Sequence, residues 1–147
     1  MARMSLREVE ALAIRAHASQ VDKAGKPYIR HLAAVARSVI EHGGTDEQVA
    51  AAWLHDAIED GTLSREWLDE AALAPETKEI VLAVTKQPGE SLEKYAARIL
   101  ETPGALLVKQ ADLAHNADPE RLAMLDRATR ERLTAKYARM YGLLGLA

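Results

Sequence analysis

The stretch AAWLHDAIED, Ala51 to Asp60, decides how the rest of the chain is read. It continues an apolar run and then introduces His55, Asp56, Glu59 and Asp60. Thr45 or Asp46 supplies an N-cap ahead of it and Gly61 a stop behind it, so the spacing predicts one continuous helix. On a helix, residues four apart share a face, placing His55 under Glu59 and Asp56 under Asp60. Neighbours lie about 100° apart, so His55 and Asp56 can lean toward one point. Ala51, Ala52, Trp53, Leu54, Ala57 and Ile58 predict a largely buried helix. Buried charges need partners, and a divalent cation would satisfy all four groups at once. The plainer reading, a histidine beside an acid on a solvated face, fits the HD pair alone but explains ED inside this alanine-rich run less well.

Outward from that stretch, apolar residues recur at helical spacing almost everywhere and no strand alternation appears. Ser5 and Glu8 form a capping box ahead of a first helix with Val9, Leu12, Ala13 and Ala16. VDKAGKPY is a turn-rich loop, a second helix runs from about Ile29 to Glu41, and HGG closes it. Ser64 or Thr62 starts a short helix, Pro75 opens PETKEIVLAVTK, Ser91 begins another, and ETPG separates that from ALLVKQADLAHNA. Pro119 opens one last long helix. Its Leu122, Leu125, Leu133, Tyr137, Met140 and Tyr141 suit packing on the bundle, with a homodimer contact as the alternative. The expected fold is all-α, a single-domain bundle of about seven or eight helices over 1–147.

Bulk composition narrows the function. Apolar residues make up 48% and charged residues 28% of 147, a globular balance for one domain. The formal charge of −3 with no Lys/Arg run argues against nucleic-acid binding. There is no cysteine, which removes thiolate metal sites and cysteine nucleophiles. The N-terminus is broken by charges, unlike a signal peptide, and no run is long enough for a membrane span. A cytoplasmic protein acting on a small molecule is expected.

Two further segments complete a ligand set. PYIRH places His31 at the start of the second helix, and VKQADLAHN places Asp112 late in an apolar one. Each alone reads as an ordinary capping or surface residue. Together His31, His55, Asp56 and Asp112 offer mixed nitrogen and oxygen ligands suited to Mn²⁺, Fe²⁺, Zn²⁺ or Mg²⁺. Four protein ligands leave coordination positions for water on an octahedral ion, which favours catalysis.

The order H…HD…D resembles the HD superfamily of metal-dependent phosphohydrolases. More closely, HASQVDKAGKPYIRH (17–31), AAWLHDAIED (51–60), VTK (84–86) and VKQADLAHN (108–116) resemble the hydrolase domain of the RelA/SpoT family and its small stand-alone alarmone hydrolases. The likeness runs from about residue 9 to 118. It implies an HD-domain bundle that uses Mn²⁺ to remove the 3′-pyrophosphate of guanosine-3′,5′-bis(diphosphate). It also implies that His31, His55, Asp56 and Asp112 bind the metal, and that Glu59 and Asp60 orient or activate the attacking water. Asn116, Lys23 and Lys109 match residues that meet substrate or support the site. His17 and Tyr28 match the pattern as pocket-lining residues, or as core packing and an N-cap. No synthetase domain is expected after Ala147.

Three positions depart from the family pattern. Asp22 stands where an arginine usually precedes Lys23, Leu113 replaces an arginine after the last metal ligand, and Gly61 replaces a threonine. An acid in place of a phosphate-gripping guanidinium should weaken binding to a highly charged nucleotide. An HD-type nucleotidase or phosphodiesterase acting on another nucleotide is therefore the first alternative. A non-catalytic nucleotide or metal sensor and a plain helical interaction module are the others.

Overall fold

Side-chain caps set the helix starts. In a computed structural model of the chain, which describes residues 2–146, Ser5, Thr45, Ser64, Ser91, Asp118 and Asp126 each accept a backbone N–H in the first turn of a helix. The described residues form nine helices: α1 Leu6–Ala16, α2 Ile29–Glu41, α3 Asp46–Leu54, α4 Arg65–Glu70, α5 Pro75–Ala83, α6 Leu92–Glu101, α7 Ala105–Asn116, α8 Pro119–Ala123 and α9 Arg127–Leu144. An isolated bridge between Val21 and Pro27 is the one strand-like pairing among them. None of the helices is long and apolar enough to cross a membrane.

The all-α expectation holds, and the capping box at Ser5 and Glu8 forms as read. After α2, Gly43 takes a left-handed φ of 77°, Gly43 N–H donates to Ile40 at 3.0 Å, and Gly44 N–H donates to Val39 at 2.9 Å. This is a Schellman close, and it turns the chain directly into α3. The ninth helix arises because the expected last helix is two. Asp126 accepts both the amide and the hydroxyl of Thr129, at 2.9 and 2.8 Å, and so starts α9 afresh after α8.

The central element is α3, whose Val49, Ala50, Ala51, Ala52 and Leu54 are all buried. An apolar helix on every side is packed on every side; α1, α2, α5 and α7 surround it. Its alanines let these neighbours approach closely, and Val35, Val39, Ile80, Val81, Val108 and Leu113 fill the space between.

The chain departs from expectation at the decisive stretch. The helix ends at Leu54, and residues 55–60 form consecutive turns rather than a continuation. The reason is chemical: His55 donates Nδ1–H to the Ala52 carbonyl at 2.7 Å, occupying an acceptor that the next helical turn would use. Bonds from Ala57 N to Leu54 O and from Asp60 N to Asp56 O carry the turns to Gly61, whose φ of 75° reverses the chain. Likewise α5 stops at Ala83 instead of running through Lys86, because Lys86 N–H is drawn to Glu59 Oε1 at 2.7 Å. Both early endings deliver polar residues to the same place.

Candidate metal centre and cavity

Three helix ends converge on one point. His31 comes from the first turn of α2, His55 and Asp56 from the end of α3, and Asp112 from the third turn of α7. One ligand atom from each of the four lies within 4.8 Å of every other. His31 Nε2 is 2.9 Å and His55 Nε2 3.1 Å from Asp112 Oδ1; Asp56 Oδ2 is 3.1 Å from His55 Nε2 and 3.7 Å from His31 Nε2. Two donors at right angles on an ion, each about 2.1 Å away, stand about 3 Å apart, so these separations suit a shared cation.

The tautomer strengthens the fit. His55 Nδ1–H is already committed to Ala52, so Nε2 turns a lone pair toward two carboxylate oxygens. Lone pairs facing one another demand a positive charge between them. Burial would drive a proton off His55, yet the Asp56 charge and the bond to Asp112 outweigh it and hold the imidazole well above its usual range. A divalent ion can supply that charge, with the Ala52 carbonyl orienting the ring from behind.

The carboxylates are braced. Tyr28 donates its hydroxyl to Asp56 Oδ2; burial, then the Asp56 charge, keep that phenol from ionising. Lys109 Nζ donates to Asp112 Oδ2 at 2.9 Å and lies 5.2 Å from the Tyr95 ring centroid. Burial opposes both charges of that pair; their attraction overrides it, lowering Asp112 and raising Lys109. Asn116 Nδ2–H donates to Asp112 Oδ1 at 3.1 Å.

Glu59 and Asp60 lie beside this centre and line a cavity of about 620 Å³. Burial raises both carboxyls above their usual range, with Lys86 N–H and Gln20 Nε2–H as the main opposing contacts. Each keeps one oxygen outside those bonds. Lys23, Lys26, Arg30, Lys86, Arg121 and Lys136 bring positive charge to the same cavity, while Leu92, Met124, Leu125, Leu133, Tyr137 and Met140 form an apolar wall.

Of the residues expected to meet substrate, Lys23, Tyr28, Lys109 and Asn116 do line the cavity. His17 does not: it is 1% exposed, packs 5.4 Å from the Tyr28 ring, and bonds to Gln20 instead. Its place as the C-cap of α1 turns it inward. Leu113 is 1% exposed and belongs to the core.

Asp22 is not the free acid the sequence suggested. Its Oδ1 accepts Ala24 N–H and Lys26 N–H, both at 2.9 Å, and its Oδ2 accepts Arg121 NH2 at 3.0 Å. Burial would raise its carboxyl, but these donors together lower it. Arg121 escaped the sequence reading. Its NH1 donates to His115 Nδ1 at 2.9 Å and to Asn116 Oδ1 at 3.1 Å, so one guanidinium reaches the cavity from α8. Burial and Arg121 push His115 down to about 4, leaving a neutral ring stacked 4.9 Å from His31. No local pattern marks Arg121, because its partner Asp22 is 99 positions away.

Comparison with known proteins adds to this geometry. The chain is 32% identical over 132 residues to a probable guanosine-3′,5′-bis(diphosphate) 3′-pyrophosphohydrolase of Synechocystis, a stretch that is 78% of this chain and 17% of that protein. It is 35% identical over 130 residues to a probable GTP pyrophosphokinase of Mycobacterium leprae, covering 78% and 16%. It is 32% identical over 123 residues to a guanosine-3′,5′-bis(diphosphate) 3′-pyrophosphohydrolase of Vibrio cholerae, covering 76% and 17%. The chain thus spans about a sixth of the length of these relatives. The HD domain family matches residues 10–91, which include His31, His55, Asp56, Glu59 and Asp60, and α7 then brings Asp112 to them. With more than half its length matched, this chain belongs to the HD domain family.

Proposed function

We propose that this chain is a metal-dependent phosphohydrolase that removes the 3′-pyrophosphate of guanosine-3′,5′-bis(diphosphate), giving GDP and pyrophosphate, with Mn²⁺ as its ion. The observation that carries the reading is the convergence of His31, His55, Asp56 and Asp112 beside two carboxylates in a cavity ringed by cations. The names of the Synechocystis and Vibrio cholerae relatives supply the substrate. A nucleotide in the cytoplasm is the matching location.

His31, His55, Asp56 and Asp112 would hold the ion. When bound, it supplies Lewis-acid chemistry, offsetting charge on phosphoryl oxygens and acidifying water. The protein's own groups do the rest. Water adds to the phosphorus attached to ribose O3′, the P–O3′ bond breaks, and the ribose regains a hydroxyl. Glu59 and Asp60 accept the water proton or hold the water in line. Their raised carboxyls bring a base closer to the working pH. Lys23, Lys86 and Lys136 offset the phosphate charge from the cavity side. The apolar wall built by Leu92, by Met124 and Leu125 after α8, and by α9 offers the base and ribose a dry face.

A second reading, hydrolysis of another nucleotide's phosphoester, draws on one observation: Leu113 is buried in the core and offers no cation to phosphate. The test is pyrophosphate release from guanosine-3′,5′-bis(diphosphate) with Mn²⁺, beside Asp56→Ala and a chelator control. Metal-dependent release lost in the variant is expected. Inertness toward this substrate, with turnover of other nucleotides, would establish the second reading.

A further inference from the structure

Asp60 sits on a turn at the cavity wall, and its carboxylate is free to rotate unless something holds it. Gln20 does: Nε2–H donates to Asp60 Oδ2 at 2.9 Å, across 40 positions of sequence. Gln20 is held in turn. Its Oε1 is 2.6 Å from His17 Nδ1, and its backbone N–H donates to the His17 carbonyl at 3.0 Å. His17 is locked by burial, by the end of α1 and by the Tyr28 ring.

The direction of this chain follows from what each group can do. An ionised carboxylate only accepts, so Gln20 must show Asp60 its NH₂ and show His17 its carbonyl. His17 must then donate from Nδ1. That tautomer leaves Nε2 as a buried lone pair, and His17 Nε2 is the one buried side-chain nitrogen or oxygen without a partner among the described residues. Native structures rarely leave such an atom unless its group has work elsewhere.

Resting on the phosphohydrolase reading above, we infer that His17 and Gln20 are positioning residues. His17, as the Nδ1–H tautomer, fixes the Gln20 amide, and Gln20 pins Asp60 Oδ2 so that Oδ1 faces the attacking water. His17 lies outside the cavity lining, and Gln20, at the cavity wall, acts through Asp60.

The experiment is a variant series on the full Mn²⁺-loaded chain, assayed on guanosine-3′,5′-bis(diphosphate) and on the generic diester bis(p-nitrophenyl) phosphate. Gln20→Leu and His17→Leu should lower kcat about 10- to 100-fold, the scale of a misplaced catalytic group. KM and the Mn²⁺-induced rise in melting temperature should stay near wild type. His17→Asn, which keeps an N–H near the Nδ1 position, should recover rate over His17→Leu. In an Asp60→Asn background, Gln20→Leu should cause no further loss, because the residue acts through Asp60. An equal loss with and without Asp60, or an unchanged kcat in Gln20→Leu, overturns the inference. So does a long-range ¹H–¹⁵N spectrum showing His17 protonated on Nε2, a readout that needs no turnover. A wild-type protein inert on the guanosine substrate but active on the diester refutes only the substrate assignment, and the variants are then judged on the diester.

Discussion

Asp112 carries two duties that one substitution can separate. Its Oδ1 faces His31 and His55, while its Oδ2 pairs with Lys109 Nζ at 2.9 Å. Asp112→Asn keeps the shape and removes the charge, leaving the Lys109 ammonium without a counterion. Breaking one side of a buried pair costs about 3–5 kcal/mol. Lys109 keeps the Tyr95 ring beside it and its side chain is 15% exposed, so the lower end applies, about 3 kcal/mol. For a chain of this length that is a fall in Tm of about 6–12 °C. Calorimetry in EDTA reads this loss without the ion's contribution. Adding Lys109→Met removes the stranded charge and should recover about 2 kcal/mol. Mn²⁺ at a hundred times its Kd should then stabilise wild type by about 2.7 kcal/mol and the Asn variant hardly at all. A variant within about 2 °C of wild type in EDTA would refute the ion-pair argument. A variant keeping the full Mn²⁺ shift would remove Asp112 from the metal set.

Glu59→Gln keeps an oxygen for Lys86 N–H, so the Mn²⁺ shift should survive while kcat for pyrophosphate release falls about 10²- to 10⁴-fold; an unaltered kcat would contradict the role. Arg121→Ala should raise KM roughly 10- to 100-fold, the value of charged hydrogen bonds worth about 1.5–3 kcal/mol, and an unchanged KM would remove the guanidinium from substrate binding. The Asp22 carboxyl is lowered in the folded state, so its contribution is present above the unfolded pKa of about 3.9 and is lost as pH falls through the lower folded value. Melting curves between pH 3 and 6 should therefore show a shallower acid decline in Arg121→Met than in wild type. Gly44→Ala would place a Cβ 2.4 Å from Val39 Cγ1 and 2.9 Å from its carbonyl. Val39 is fully buried and cannot move aside, so urea unfolding should show a loss of about 1–3 kcal/mol.

Local chemistry was legible in the sequence. Ser5 with Glu8, the glycines after α2, and Thr45 and Ser91 ahead of their helices are codes read over three or four residues, and the structure shows each of them. The candidate ligands His31, His55, Asp56 and Asp112 were legible only as a set, since His31 and Asp112 each read singly as ordinary capping or surface residues. The end of α3 was not. It depends on the His55 ring turning back onto the Ala52 carbonyl, a rotamer choice that helical periodicity does not record.

Tertiary structure decided the support around those ligands. Gln20 reaches Asp60, His31 reaches Asp112 and Arg121 reaches Asp22 across 40, 81 and 99 positions. The family resemblance marked Asp22 as a lost cationic grip; folding gives that acid three donors, one of them a guanidinium from α8. The physical reason is range. Caps and periodicity act between neighbours along the chain, whereas hydrogen bonds and charge act across a few ångströms of space, and packing determines which distant residues share that space.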